Sequence, residues 1–121
     1  MFHVKYPITP CPAPRQVRSD AWNPSPSVQR YRAFRDECRL RRVQVPESGV
    51  HITFRMPMPA SWSKRKAAEL DGQPHQQKPD VDNLVKALLD SVYGDDCAVW
   101  QISAEKRWAR QGAIEVRSES Q

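Results

Sequence analysis

The sequence contains no uninterrupted apolar run of the ~18 residues that a membrane-spanning helix needs, so no transmembrane segment and no membrane partner are expected. Its opening, MFHVKYPITP, lacks the basic-then-apolar order of a secretory signal, which points to the cytoplasm. Cysteine is scarce: Cys11, Cys38 and Cys97 are odd in number and far apart, and no CxxC pair occurs. The histidines, His3, His51 and His75, are scattered too. That spacing argues against a structural zinc site and for free thiols in a reducing compartment. There is no internal repeat. What is present is a chain of 121 residues, enough for one domain, residues 1–121, with a core of its own.

Charge is distributed unevenly. Residues 1–70 hold 13 Lys+Arg against 5 Asp+Glu, a balance of +8; residues 71–121 hold 6 against 9, a balance of −3. An arginine-rich half suits a polyanion such as nucleic acid. An acidic half beside it suits one only if cations mediate.

FHVKY alternates apolar and polar residues and predicts a short strand. Residues 7–26 follow as a Pro/Arg-rich loop with Arg15, Arg18 and Trp22, and this stretch holds six of the eleven prolines. Ser27 is placed to cap a helix running to about Val43, with Val28, Tyr31, Phe34 and Cys38 as its apolar stripe. Leu40 falls off that stripe, and Arg35 and Arg42 fall within it. GVHITFRMPM predicts a strand with one buried face. SWSKRKAAEL predicts a short helix started by Ser61 or Ser63, with Lys64, Arg65 and Lys66 as a basic patch beside Trp62. A further helix opens near Asp80 and ends at Gly94. AVWQISAEKRW and AIEVRS predict two closing strands turned near Gly112, and residues 118–121 predict a frayed tail. This order implies an α+β fold, a small mixed β-sheet with helices packed on it.

The segment KPDVDNLVKALLDSVYGDD gathers Asp80, Asp82, Asp90, Asp95 and Asp96 around Lys86. On a helix, Leu84, Val85, Leu88, Leu89 and Val92 share one side, while Asp82, Asn83, Lys86 and Asp90 share the other. Piecewise, the acids have a structural reading. Asp80 caps the helix, Asp82 suits the positive end of its dipole, and Asp82–Lys86 and Lys86–Asp90 are i,i+4 ion pairs. Taken together they have a second reading as a hard-cation site, because Mg²⁺ takes oxygen ligands and a phosphodiester could complete its shell. Lys86 would then hold the phosphate or assist proton transfer.

KPDVDNLVKALLDSVYGDD resembles the signature of the RusA family of Holliday junction resolvases, common in bacterial prophages. The likeness extends through MPMPASWSKRKAAELDGQPHQQKPDVDNLVKALLD and AEKRWARQGAIEV, covering about residues 50–117, and is looser before that. It implies a RusA-like mixed fold and a homodimer. It also implies a Mg²⁺-dependent endonuclease, with Mn²⁺ as a substitute, that nicks two opposed strands of four-way junction DNA. The family's acids carry over onto Asp80, Asp82 and Asp96, and its lysine onto Lys86, as catalytic residues. Asp80, Asp82, Asp96 and Asp95 would be the metal ligands. Relatives often carry a spacer between Gly94 and the D-D pair that this chain lacks, which leaves Asp95 and Asp96 both as candidates for the third ligand. Arg15, Arg18, Lys64, Arg65, Lys66 and Lys78 would bind DNA.

Two other readings stand beside it. One is a basic DNA-binding module without catalysis; the other is a metal-dependent nuclease of flaps or RNA. Of the tryptophans Trp22, Trp62, Trp100 and Trp108, core residues by default, Trp22 is the best placed to touch bases. The arginine loop yields a test shared by the DNA-binding readings. Arg15→Ala with Arg18→Ala should weaken DNA binding, and each lost phosphate contact should lower the slope of log K against log salt by about 0.9 on duplex arms. Binding titrations at several salt concentrations measure it; an unchanged slope removes both arginines from the interface.

Overall fold

The computed structural model describes residues 2–15, 17–94 and 96–119, and of Asp96 the backbone alone. The elements in order are β1 (Phe2–Tyr6), α1 (Pro26–Leu40), β2 (Val50–Pro57), α2 (Lys64–Leu70), α3 (Val81–Val92), β3 (Ile102–Ala109) and β4 (Ala113–Ser118), with short 3-10 turns at Arg18–Ala21 and Asp96–Ala98. The four strands form one sheet in the order β1-β4-β2-β3. β4 is antiparallel to β1 and to β2, while β2 and β3 run parallel. The expected α+β class with a mixed sheet is therefore what the chain adopts.

Parallel neighbours need a long crossover. Here residues 58–101 make it, and they carry both α2 and α3. Alternation along β2 sends Val50, Ile52, Phe54 and Met56 into the core, where they meet Leu84, Leu88 and Leu89 of α3 and Tyr31, Phe34 and Cys38 of α1. Phe54, Ile52, Leu84 and Leu88 are fully buried, each stabilising the fold by about 1.5–3 kcal/mol relative to exposure. Burial pushes the Cys38 thiol up to about 12, so it packs as a small apolar group; none of the three cysteines forms a disulfide.

Several local boundaries differ from the sequence expectation. α1 begins at Pro26 with Ser25, not Ser27, as its cap; the Ser25 hydroxyl accepts from the Val28 amide at 3.4 Å. Proline at the first helical position has no amide to leave unsatisfied, which is why the helix starts earlier. It stops at Leu40 rather than Val43 because Arg42 turns left-handed (φ 54°). The Val43 amide then bonds back to the Cys38 carbonyl at 3.0 Å and Arg42 to Arg39 at 3.2 Å, a Schellman closure built without glycine. β3 begins only at Ile102, since Asp96–Ala98 form a 3-10 turn. On α3, Ala87 and Ser91 are buried while Val85 and Val92 are half-buried, because α1 packs alongside and shifts the covered stripe. Only Trp108 of the tryptophans is buried; Trp22 and Trp100 are exposed. Of the expected frayed tail, Ser118 is the buried last residue of β4, and residues 120–121 lie outside the described residues. Gly112 is demanded by packing: a Cβ there would stand 2.5 Å from Thr9 Oγ1 and 2.8 Å from its Cα.

The opposite face of the sheet is polar. Strand register brings His51, Thr53 and Arg55 of β2 beside Ser103, Glu105 and Arg107 of β3, and beside Arg117 and Glu115 of β4. His51 contacts Glu105 at 3.1 Å, Thr53 Oγ1 donates to it at 3.0 Å and Arg107 at 2.9 Å. The His51 hydrogen bond, joined by those from Thr53 and Arg107, outweighs partial burial and holds the Glu105 carboxyl at about 2. Its folded pKa lies below the unfolded one, near 4.3. The charged form is therefore favoured by folding, and the stability is present above the unfolded value and lost as pH falls toward 2. Glu105→Gln should cost about 1–2 kcal/mol at neutral pH after allowance for solvent screening. Urea unfolding should show the difference from wild type narrowing between pH 4.5 and 2; a constant difference over that window would contradict this account.

Candidate active site

The site is built where the crossover turns into α3. The segment before α3 is stitched to the outer edge of β3: Trp108 donates to the Gln73 carbonyl at 2.9 Å, and His75 donates to the Lys106 carbonyl at 3.0 Å. Lys106 then donates its ammonium to the carbonyls of Gln77 at 2.5 Å and Pro79 at 2.7 Å. A lysine on the helix-facing side of a strand must find polar partners, and this one finds the backbone that leads into Asp80. The alternation Ala104, Lys106, Trp108 is the signal for it in the sequence, which the reading of AVWQISAEKRW as a closing strand leaves unused. The Lys78–Pro79 peptide is cis. His75, buried against the Trp108 ring at 4.3 Å, is held below the usual histidine range, first by burial and then by the charge of Lys106.

Asp80 occupies the N-cap position of α3, yet its side chain makes no capping hydrogen bond. The cap reading therefore keeps the position and loses the interaction. Asp82 lies in the first turn, its Oδ1 accepting from the Asn83 amide at 2.9 Å. Both carboxylates are exposed, and among the described residues no cation stands within ion-pair distance of either. Their place at the positive end of the helix dipole favours them. Asn83 turns its amide across to the Ala13 carbonyl at 3.2 Å, which fastens the proline-rich loop to the start of α3. Pro12, Ala13, Lys78, Pro79, Asp80 and Asn83 line a cleft of about 400 Å³ between them. The loop itself is ordered by Asp20, a buried carboxylate that accepts from the amides of Val17 at 2.7 Å and Ser25 at 3.0 Å, which hold its pKa down. Arg15 and Arg18 are exposed on that loop.

Lys86, one turn beyond Asp82, pairs with Asp90 at 3.2 Å. Asp96 belongs to the 3-10 turn that follows α3 and packs against it. Asp95 and the Asp96 side chain lie outside the described residues. Among the described residues no three His, Cys, Asp or Glu side chains converge. Lys64, Arg65 and Lys66 are exposed on α2, with Arg65 paired to Glu69 at 3.2 Å and Lys66 seated 4.5 Å over the Trp62 ring. Trp62 in turn tilts against Trp108 at 4.7 Å, which ties the basic patch to the segment holding Lys78. Lys78 is exposed on the cleft.

Comparison with known proteins decides the family. The family model for Endodeoxyribonuclease RusA matches residues 7–119. The chain belongs to the RusA endodeoxyribonuclease family. No curated protein matches it. As a RusA-family chain it is a nuclease acting on DNA, and the match spans the proline-rich loop and α1 as well as the aspartate segment. No helix among the described residues is long and apolar enough to cross a membrane.

Lys106→Met tests the anchoring of the site. Removing the ammonium leaves two carbonyls without their shared donor, at a cost of about 1–3 kcal/mol. The variant should keep its helical circular dichroism, unfold at lower urea and be cleaved faster by protease around Gln77. Unchanged stability and protease resistance would show that Lys106 does not hold the segment.

Proposed function

We propose that this RusA-family chain is a Mg²⁺-dependent, structure-specific endonuclease that resolves four-way (Holliday) junctions by paired symmetric nicks, as a homodimer, in DNA recombination and repair in a bacterial cytoplasm. The observation that carries the proposal is the state of Asp80 and Asp82. Two exposed carboxylates, one at a capping position it does not use, stand together at the start of α3 beside a cleft and a basic loop.

The donor set fits a hard divalent cation. Mg²⁺ is satisfied by one or two carboxylates plus water and phosphate oxygens, and Asp80 and Asp82 offer such a pair with no cation in ion-pair distance among the described residues. Asp96 and Asp95 are further ligand candidates by their place in the family signature. Bound there, Mg²⁺, or Mn²⁺ in its stead, would supply an activated water and neutralise charge developing on phosphorus. The chain's own residues do the rest. Lys86 presents an ammonium on the same helix face as Asp82, where it can hold a phosphate oxygen as charge develops. Lys78, on the cleft wall, and Arg15 and Arg18, on the loop that Asn83 fastens to α3, hold the flanking backbone. Lys64, Arg65 and Lys66 extend the basic surface.

Resolution needs two nicks in opposed strands, and one chain carries one acid segment, so a two-fold pair of chains supplies the second. The lack of three converging acids among the described residues favours a second reading, a basic DNA-binding module without catalysis.

One experiment separates the two. Wild type should cut a synthetic four-way junction at two symmetric positions with Mg²⁺ and leave linear duplex intact. Asp80→Asn and Asp82→Asn should each reduce cleavage by about 10³-fold or more while junction binding is kept or tightened, since each removes a ligand and a negative charge facing phosphate. Neither residue packs in the core, so thermal melting should match wild type. Junction binding without cleavage by wild type would establish the binding module instead; wild-type cleavage by either variant would remove that residue from the site.

A further inference from the structure

Trp22 is the one aromatic residue of the proline-rich loop, and it is 72 % exposed. Covering an indole is favourable, so a mobile loop would let it collapse onto the protein. This loop does not. The amides of Trp22 and Asn23 both donate to the Ser19 carbonyl, at 3.2 and 2.8 Å. The Asp20 side chain, buried beneath them, then clasps both ends of the turn, Oδ2 accepting from Val17 and Oδ1 from Ser25. Arg32 of α1 donates to the Asp20 carbonyl at 3.1 Å, and Ser25 is the cap of α1, so the turn is fastened to that helix at two points. A buried carboxylate is costly unless it is fully bonded, and here its bonds hold out a large apolar ring.

The surroundings of the ring indicate what covers it. Arg15 and Arg18 are exposed on the same loop, which Asn83 fastens to the start of α3. The other exposed indole, Trp100, has different neighbours: its amide donates to the Glu47 carbonyl at 3.0 Å, and it follows the Asp96–Ala98 turn. Only Trp22 combines a free ring face with adjacent guanidinium groups, the pairing that holds a base by stacking and its backbone by charge. In a continuous duplex each base is covered by its neighbours. Where strands exchange, a base face can be uncovered.

We propose that Trp22 is a base-stacking residue, held out from the loop by Asp20 to pack its indole on an unstacked base at the point of strand exchange, a role that rests on the reading of the chain as a junction nuclease. The arginines then grip phosphate on any DNA, and Trp22 favours the junction over duplex.

The test is binding of the full chain to a synthetic four-way junction and to duplex of the same sequence, without divalent cation so that nothing is cut. Trp22→Ala should weaken junction binding by about 5- to 150-fold, the range for one base stacked on an aromatic ring, and leave duplex binding unchanged. Trp22→Phe should recover most of the loss. The slope of log K against log salt should stay as in wild type, because stacking releases no counterions. No loss, an equal loss on duplex, or a lower slope would overturn the proposal. A double-mutant cycle tests Asp20: Trp22→Ala should cost less in an Asp20→Asn background than in wild type, and an equal cost would remove Asp20 from the role. If wild type itself shows no preference for the junction, the junction reading falls, and Trp22 is judged on a single-stranded thymidine oligonucleotide. A loss of the same size in Trp22→Ala would still establish stacking; unchanged binding would overturn it.

Discussion

The parallel pairing of β2 with β3 is the constraint from which the rest of the architecture follows. Two parallel neighbours cannot be joined by a tight turn, so the chain must leave the end of β2 and return to the start of β3. The return path holds α2, α3 and the segment between them, and with them every aspartate of the candidate site. Because this path runs along the outer edge of β3, it shields that edge. The amides of Gly72 and His75 and the carbonyl of Gln73 pair with backbone groups of Trp108 and Lys106. Lys106 completes the seam by binding the two carbonyls just ahead of Asp80. The acid pair is thus held by a strand, although it sits at the mouth of a loop.

Charge is used in two different ways in this fold. On the open face of the sheet, acids and bases neutralise one another. Glu105 is surrounded by His51, Thr53 and Arg107, and Glu115 by His3 at 2.7 Å and Arg55 at 2.9 Å. Burial raises the Glu115 carboxyl, but its bonds to His3 and Arg55 together outweigh it and hold the group low. At the start of α3 the acids have no such partners among the described residues, and the nearby bases on the loop point to solvent. Satisfied carboxylates stabilise the sheet; exposed, unpaired ones retain the capacity to bind a cation. This contrast explains how a basic RusA-family chain carries an acidic segment without electrostatic conflict.

The aromatic residues divide along similar lines. Trp62, Trp108 and His75 pack ring against ring at a tilt of 54° and join α2 to the crossover. Trp22 stands exposed on the proline-rich loop near Arg18, and Trp100 is exposed at the entrance to β3. An exposed indole gains nothing from burial, so both are available to contact a partner.

Much of this was legible in the sequence because it depends on local periodicity. Alternation in FHVKY and VHITFRMP, and the stripe Val28, Tyr31, Phe34 and Cys38, located strands and helix faces, since side-chain direction follows from backbone repeat alone. The family could be read there too, because the aspartate segment is contiguous. Other features turned on backbone choices within a few residues or on residues distant in the chain. Ser25 displaced Ser27 as a cap because Pro26 favours a helix start, and Arg42 ended α1 by adopting a conformation its sequence does not advertise. The roles of Lys106, 27 residues from Pro79, and of Asn83, 70 residues from Ala13, exist only once the crossover lies on β3 and the loop lies on α3.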